Sequence, residues 1–100
     1  MTIPSVKLDR YVVDTLMPDL VGHDKRPSAL LVYLFLWAQA DVRGRNASAS
    51  LREIAEGTGL SKRGVQDGLR VLTKRRLVAR SQPKPTAIAT FEVLRPWRRR

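Results

Sequence analysis

An unbroken apolar run from Ala29 to Ala38 sets the tightest limit on how this chain can fold. A helix through these 10 residues is apolar on every side, so it must be buried on more than one side. The run is too short to span a bilayer, which takes about 20 residues. We therefore predict a buried helix from Ser28 to Val42, with Pro27 at its start and Gly44 closing it. In a short chain, other helices or a second copy of the chain must cover this helix.

The composition limits the class of protein. The chain has 100 residues, of which 43% are hydrophobic, which is typical of one globular domain. It has no cysteine, which excludes disulfide scaffolds, thiolate nucleophiles and Cys-ligated zinc. Its first ten residues lack the basic start, apolar stretch and small-residue cleavage site of an export signal. We expect a cytoplasmic protein without a membrane helix.

Positive charge is concentrated in the second half of the chain. The formal net charge is +10, with 19 Lys and Arg against 9 Asp and Glu. Residues 1–50 carry 6 basic and 5 acidic side chains, whereas residues 51–100 carry 13 and 4. This asymmetry favours a polyanionic partner, either nucleic acid or an anionic membrane surface, over a merely solvated basic face.

Short apolar patterns lie at both sides of the buried helix. Apolar residues at helical spacing predict a first helix from Asp9, as N-cap, to Leu16, interrupted by Pro18. Asp19–Gly22 is expected to add one more turn. Ala47–Ala49 fits a short strand or a plain loop.

Two shorter helices joined by a tight turn are predicted next. Ser50 and Glu53 match a capping box, in which the serine hydroxyl accepts the Glu53 amide proton and the carboxylate accepts the Ser50 amide proton. The helix that starts there has Leu51, Ile54 and Ala55 on its inner face. Gly57-Thr58-Gly59 is expected to leave the helix and turn sharply, with Leu60 filling the corner.

The second of these helices begins after Ser61, its predicted N-cap, and ends near Arg75 or Arg76. Val65, Leu69 and Leu72 form its apolar stripe, and its outer face is polar. A hairpin is predicted from two strand-like segments, residues 77–81 and 88–94, which flank a loop at residues 82–86. Residues 95–100 read as a basic arm that either binds phosphates and stacks through Trp97 or is a frayed tail.

The pair of helices has the layout in which one helix enters the major groove of DNA while the other crosses the backbone. Residues 51–72, LREIAEGTGLSKRGVQDGLRVL, followed by Arg76-Leu77-Val78, resemble the winged helix-turn-helix family of bacterial DNA-binding regulators. The resemblance covers about residues 28–94. It implies a mainly α fold with a small β-hairpin, in the order α-α-(β)-α-α-β-β. We accordingly expect a DNA-binding domain over residues 1–94 and an arm over residues 95–100.

Two glycines depart from the family pattern, and each costs roughly 1 kcal/mol of helix propensity relative to alanine. Gly64 stands where the family often has a polar residue, and Gly68 where it often has alanine. Either the recognition helix is soft until it binds DNA, or Gly68 permits closer packing and Gly64 a closer approach to DNA.

The resemblance places the DNA-binding residues on the second helix of the motif, near residues 61–75, and on the hairpin as its wing. By their chemistry, Ser61 and the free amides behind it suit a phosphate, and Gln66 suits a bidentate contact to adenine. Arg63 or Lys62 can reach guanine or phosphate oxygens, whereas Arg70, Lys74 and Arg75 are expected at the backbone. The wing offers Arg80, Gln82, Lys84 and Thr86. The full set of predicted DNA-binding residues is Ser50, Ser61, Lys62, Arg63, Gln66, Arg70, Lys74, Arg80 and Lys84.

No catalytic constellation is found. The only histidine, His23, has no second ligand or base partner at a telling spacing and is expected in an exposed loop. The sequence therefore predicts a non-enzymatic protein that binds double-stranded DNA specifically, without metal, cofactor or evident small-molecule effector. We expect a cytoplasmic, nucleoid-associated transcriptional regulator that binds a palindromic site as a homodimer. Two alternatives stay open: an accessory module for plasmid or phage replication, partition or mobile elements, and a protein-interaction module.

Overall fold

The computed structural model describes residues 3–43, 46–82, 84 and 88–98. Two π-helical segments, Val12–Leu16 and Pro18–His23, come first. The helices and strands that follow are α1 (Pro27–Arg43), β1 (Asn46–Ser48), α2 (Leu51–Thr58), α3 (Lys62–Lys74), β2 (Val78–Ser81) and β3 (Thr90–Val93). The predicted end of α1 at Gly44 lies outside the described residues.

The N-terminal helix differs from the single α-helix expected to stop before Pro18. The chain stays helical through Pro18 because its backbone hydrogen bonds run from the amide of residue i to the carbonyl of residue i−5. The Met17 amide donates to the carbonyl of Val12, and the Asp24 amide donates to that of Asp19. Pro18 occupies the first position of the second segment, where its missing N–H costs no hydrogen bond. The carboxylate of Asp9, predicted as an N-cap, instead bonds to Trp97 and Arg98.

Helix α1 runs through the core and is covered by its own chain. Its buried side chains share one cluster with those of the N-terminal segments, of α2 and α3, and of the sheet. The backbone of α3 approaches it closely at Gly68, where a Cβ atom would lie 3.0 Å from the Ser28 carbonyl oxygen. Leu31, 41% exposed, is the one large apolar side chain of α1 that is exposed among the described residues. One chain is thus sufficient to bury nearly all of this helix.

Three antiparallel strands form a small sheet in the order β1-β3-β2. Ala47 pairs with Phe91, and Val78 with Val93; all four side chains are buried. The predicted hairpin is therefore confirmed as β2 and β3, and the segment at Ala47 is a strand rather than a loop. A mainly helical chain with this small sheet has the architecture of a winged helix-turn-helix domain.

The C-terminal segment, residues 95–98, packs against the rest of the domain. The Trp97 ring stacks on Tyr11 at 4.6 Å between centroids and on Trp37 at 6.3 Å. The Trp97 indole N–H donates to Asp9 at 2.9 Å. The prediction of a frayed tail is therefore wrong for residues 95–98. The Trp97 ring stacks on Tyr11 and Trp37 within the protein, rather than standing free to stack on a nucleic-acid base.

Candidate nucleic-acid interface

The start of α2 is fixed by the predicted capping box. The Glu53 amide donates to Ser50 Oγ at 3.1 Å, and the Ser50 amide donates to Glu53 Oε1 at 2.9 Å. These bonds satisfy two N–H groups that have no partner inside the helix. Ser50 still has its hydroxyl proton to donate, so its DNA contact stays a prediction beside its capping role.

The turn between α2 and α3 sets the angle of the motif. Gly59 ends α2 with φ at 81°, a left-handed conformation that side chains disfavour, and its amide donates to the Ala55 carbonyl at 2.9 Å. Gly57 was expected in the turn but lies inside α2. A Cβ atom at Gly57 would overlap the Phe35 ring, at 2.1 Å from Cε1, so this glycine admits the ring instead of breaking the helix.

Helix α3 begins at Ser61, whose hydroxyl accepts the Gly64 amide proton at 3.0 Å. The amides of Lys62 and Arg63 then have no acceptor within the helix, and they add to the positive end of the helix dipole. This geometry is the one that favours a phosphate at the N-terminus of α3.

The buried side of α3 matches the predicted stripe. Val65, Leu69 and Leu72 are buried in the core. Gly68 is buried between them, where a Cβ atom would lie 3.1 Å from Val32 Cγ2 and 3.0 Å from the Ser28 carbonyl oxygen. Close packing of α3 on α1 therefore explains Gly68, one of the two departures from the family pattern.

The opposite side of α3 is open to solvent. Lys62, Gln66, Arg70 and Lys74 are exposed and follow each other at intervals of four residues, so they lie on one face, beside which Arg63 is also exposed. Among the described residues, Lys62 and Arg63 have no ion-pair partner. Arg70 donates to Asp67 at 2.9 Å, so part of its charge is compensated on α3 itself.

Arg75, expected at the DNA backbone, is half-buried and held against the second N-terminal segment. Its guanidinium bonds to Asp24 at 2.6 Å and also to Asp19, which attaches the second N-terminal segment to the end of α3. These bonds, the one to Asp24 foremost, raise the pKa of Arg75. A hydrogen bond with His23, followed by the bond to Arg75, lowers the pKa of Asp24.

His23 is exposed at the last position of a helical segment rather than in a loop. Ligand atoms of Asp19, His23 and Asp24 lie within 4.8 Å of one another. The positive charge beside both carboxylates is that of Arg75, so the cluster works as an ion-pair anchor for α3.

The wing is described on both strands. Arg80 and Lys84 are exposed. The Arg80 guanidinium lies 5.7 Å from the Phe91 ring centroid and donates to Gln82 at 3.3 Å, which orients it on the hairpin. Thr86, also predicted in the wing, lies outside the described residues.

A profile of the family described as "Helix-turn-helix domain" matches residues 23–78, a span that contains α1, β1, α2 and α3. The chain therefore belongs to the helix-turn-helix family of DNA-binding domains. Searches of curated proteins and of solved structures gave no match. No helix in the described part of the chain is long and apolar enough to cross a membrane.

Proposed function

We propose that the protein binds double-stranded DNA sequence-specifically, with the exposed face of α3 in the major groove and the β2–β3 hairpin as a wing against the backbone or minor groove. The observation that carries this proposal is the exposed face of α3, where Lys62, Arg63 and Gln66 combine free cationic and amide groups. Gln66 and Arg63 read base edges, and the helix start at Ser61 binds a phosphate.

The proposed biological role is that of a non-enzymatic transcriptional regulator in the bacterial cytoplasm, associated with the nucleoid when bound. Selection of sites from a random duplex pool tests the binding function. The expected result is enrichment of one short sequence. Failure to bind any duplex at low salt would contradict the proposal and favour the protein-interaction module.

We propose a homodimer as the binding form, because two copies match a palindromic site. The buried helix α1 does not itself require a second chain. Exposed apolar residues support the proposal instead. Val13 and Val21 lie on the two N-terminal segments, Met17 lies between these segments, and Leu31 lies on α1. Sedimentation at micromolar concentration should give twice the chain mass of 11.3 kDa, and a clean monomer would contradict the dimer alone.

A further inference from the structure

An open pocket of about 450 Å³ lies between Arg76, two residues after the end of α3, and residues 92–98, which comprise the end of β3 and the chain that follows it. Three of its lining residues are arginines, namely Arg76, Arg95 and Arg98, and one is acidic, Glu92. The pocket is separate from the exposed start of α3, because a helix of 13 residues is about 20 Å long. The proposed groove contacts at Ser61 therefore do not explain this cluster of cations.

Two of the three guanidinium groups are held in place by neighbours. Arg98 donates to Asp9 through Nε at 2.7 Å and through Nη2 at 2.6 Å. The Arg95 guanidinium carbon lies 4.1 Å from the centroid of the Trp37 ring, a cation–π contact. These contacts hold two planar donor groups before any ligand arrives, which lowers the cost of ordering them on binding.

Two of the three guanidinium groups, those of Arg76 and Arg95, have no carboxylate partner in the described part of the chain. Arg76 is exposed to solvent. The Nε atom of Arg95 is buried without a hydrogen-bond acceptor in the described structure. A buried donor without an acceptor is costly, so an incoming acceptor at this position gains more than one at an exposed arginine.

We propose that this pocket binds the phosphate group of a phosphate ester. Guanidinium forks match the oxygens of a phosphate. The charge of Arg98 is compensated by Asp9, but Arg76 and Arg95 together still exceed the single Glu92 carboxylate in charge. The volume lies within the range of small-molecule sites, about 300–1,000 Å³, and leaves room for the organic part of the ester. The ester is either a DNA backbone phosphate away from the major-groove contacts or a free phosphorylated small molecule.

The first test is an NMR titration with inorganic phosphate at constant ionic strength, with chloride as the reference anion. The Arg95 Nε–H signal should shift saturably with phosphate and not with chloride. Arg76→Asn should weaken phosphate binding by about tenfold, because it removes one charge-assisted contact. Absence of a saturable phosphate shift would overturn the proposal.

Lys25→Asn is a matched control for Arg76→Asn. Both positions have a left-handed backbone, with φ at 55° for Lys25 and 58° for Arg76, and asparagine tolerates this conformation. Each variant loses one positive charge, but Lys25 does not line the pocket. Phosphate binding should be unchanged in Lys25→Asn. An equal loss of phosphate affinity in both variants would mean that the net charge of the protein, and not this pocket, causes the loss, and it would overturn the proposal.

A second measurement separates the two sources of phosphate. If the ester belongs to DNA, Arg76→Asn should reduce the slope of log affinity against log salt on a random duplex by about one, relative to Lys25→Asn. If the ester is a free small molecule, that slope should stay unchanged while the phosphate titration is still weakened. A glutamate-rich peptide that shifts the Arg95 signal more strongly than phosphate would contradict the proposal. The phosphate titration contains no DNA, so it can succeed even if α3 does not read the groove.

Discussion

The Asp9 carboxylate and the Arg98 guanidinium, 89 residues apart in the chain, form two hydrogen bonds of 2.7 and 2.6 Å. The same carboxylate accepts the Trp97 indole proton, so Asp9 holds two consecutive residues of the C-terminal segment. The hydrogen bond from Arg98 is the main reason why the pKa of Asp9 falls to about 2. This contact joins both ends of the described chain into one folded unit.

This contact predicts a loss of stability in acid. The folded-state pKa of Asp9, about 2, lies below the unfolded value of about 3.9. Its contribution is therefore complete above about pH 4 and is lost as the pH falls towards 2. Because Arg98 is half-exposed, we expect Asp9→Asn to lower the free energy of unfolding by only about 1 kcal/mol at pH 7.

Urea denaturation of the parent and of Asp9→Asn, measured from pH 7 to pH 2, checks this prediction. The difference between the two proteins should shrink below about pH 4. A difference that stays constant down to pH 2 would show that the carboxylate charge is not what stabilises the contact.

The two glycines of α3 should respond oppositely to alanine. A Cβ atom at Gly68 would lie 3.0 Å from the Ser28 carbonyl oxygen, a backbone atom that cannot move aside alone. We expect Gly68→Ala to destabilise the fold by about 1–3 kcal/mol, despite the gain in helix propensity.

Gly64 supplies the control, since its added Cβ would meet nothing closer than Ser61 Oγ at 3.4 Å. Gly64→Ala should stabilise the fold by up to about 1 kcal/mol. Thermal melts of both variants decide the matter. A parent-like melting temperature for Gly68→Ala would mean that α3 does not pack closely against α1 at Gly68.

Leu69 anchors the inner side of the motif and is 4% exposed. Leu69→Ala should cost roughly 2–5 kcal/mol, through lost burial and the cavity left behind. DNA binding should then fail because the domain unfolds. Chemical denaturation measures the loss, and a parent-like stability would place the apolar stripe of α3 on the wrong face.

Substitutions of Arg75 and Arg70 should affect different properties, namely stability for Arg75 and DNA binding for Arg70. Arg75→Gln breaks the bonds to Asp19 and Asp24, so it should destabilise the fold by about 1 kcal/mol and leave the salt dependence of DNA binding unchanged. Arg70→Gln removes only an exposed pair with Asp67, so stability should hardly change while the salt slope falls by about one. Denaturation and duplex titrations at several salt concentrations test both variants. Equal salt slopes for Arg70→Gln and the parent would show that Arg70 does not contact a DNA phosphate.

Local signals were sufficient to predict the motif. The caps at Ser50 and Ser61 involve atoms only three residues away, and the buried stripe from Val65 to Leu72 follows from helix periodicity alone. The remaining DNA-facing assignments follow from that periodicity together with the resemblance to winged helix-turn-helix proteins, and they remain predictions.

Distant partners explain the features that the sequence did not reveal. Arg75 has the same local pattern as a DNA-facing arginine, and only its contact with Asp19, 56 residues away, shows that it is an anchor. The sequence around Trp97 likewise predicts a basic arm, and only the stacking of its ring on Tyr11 and Trp37, both distant in the chain, shows that it packs against the domain. For Gly68 the sequence leaves two interpretations open, a soft helix or close packing, and the decision for close packing depends on Ser28, which lies on another helix.

The central claim, that the exposed face of α3 reads DNA sequence, is tested most directly by titrating Gln66→Ala and Arg63→Ala on selected and random duplexes. Each variant should lose roughly 1–3 kcal/mol of affinity for the selected site and relax the preference at one base position. Binding to random duplexes should barely change. If both variants keep the affinity and the site preference of the parent, α3 does not read the groove.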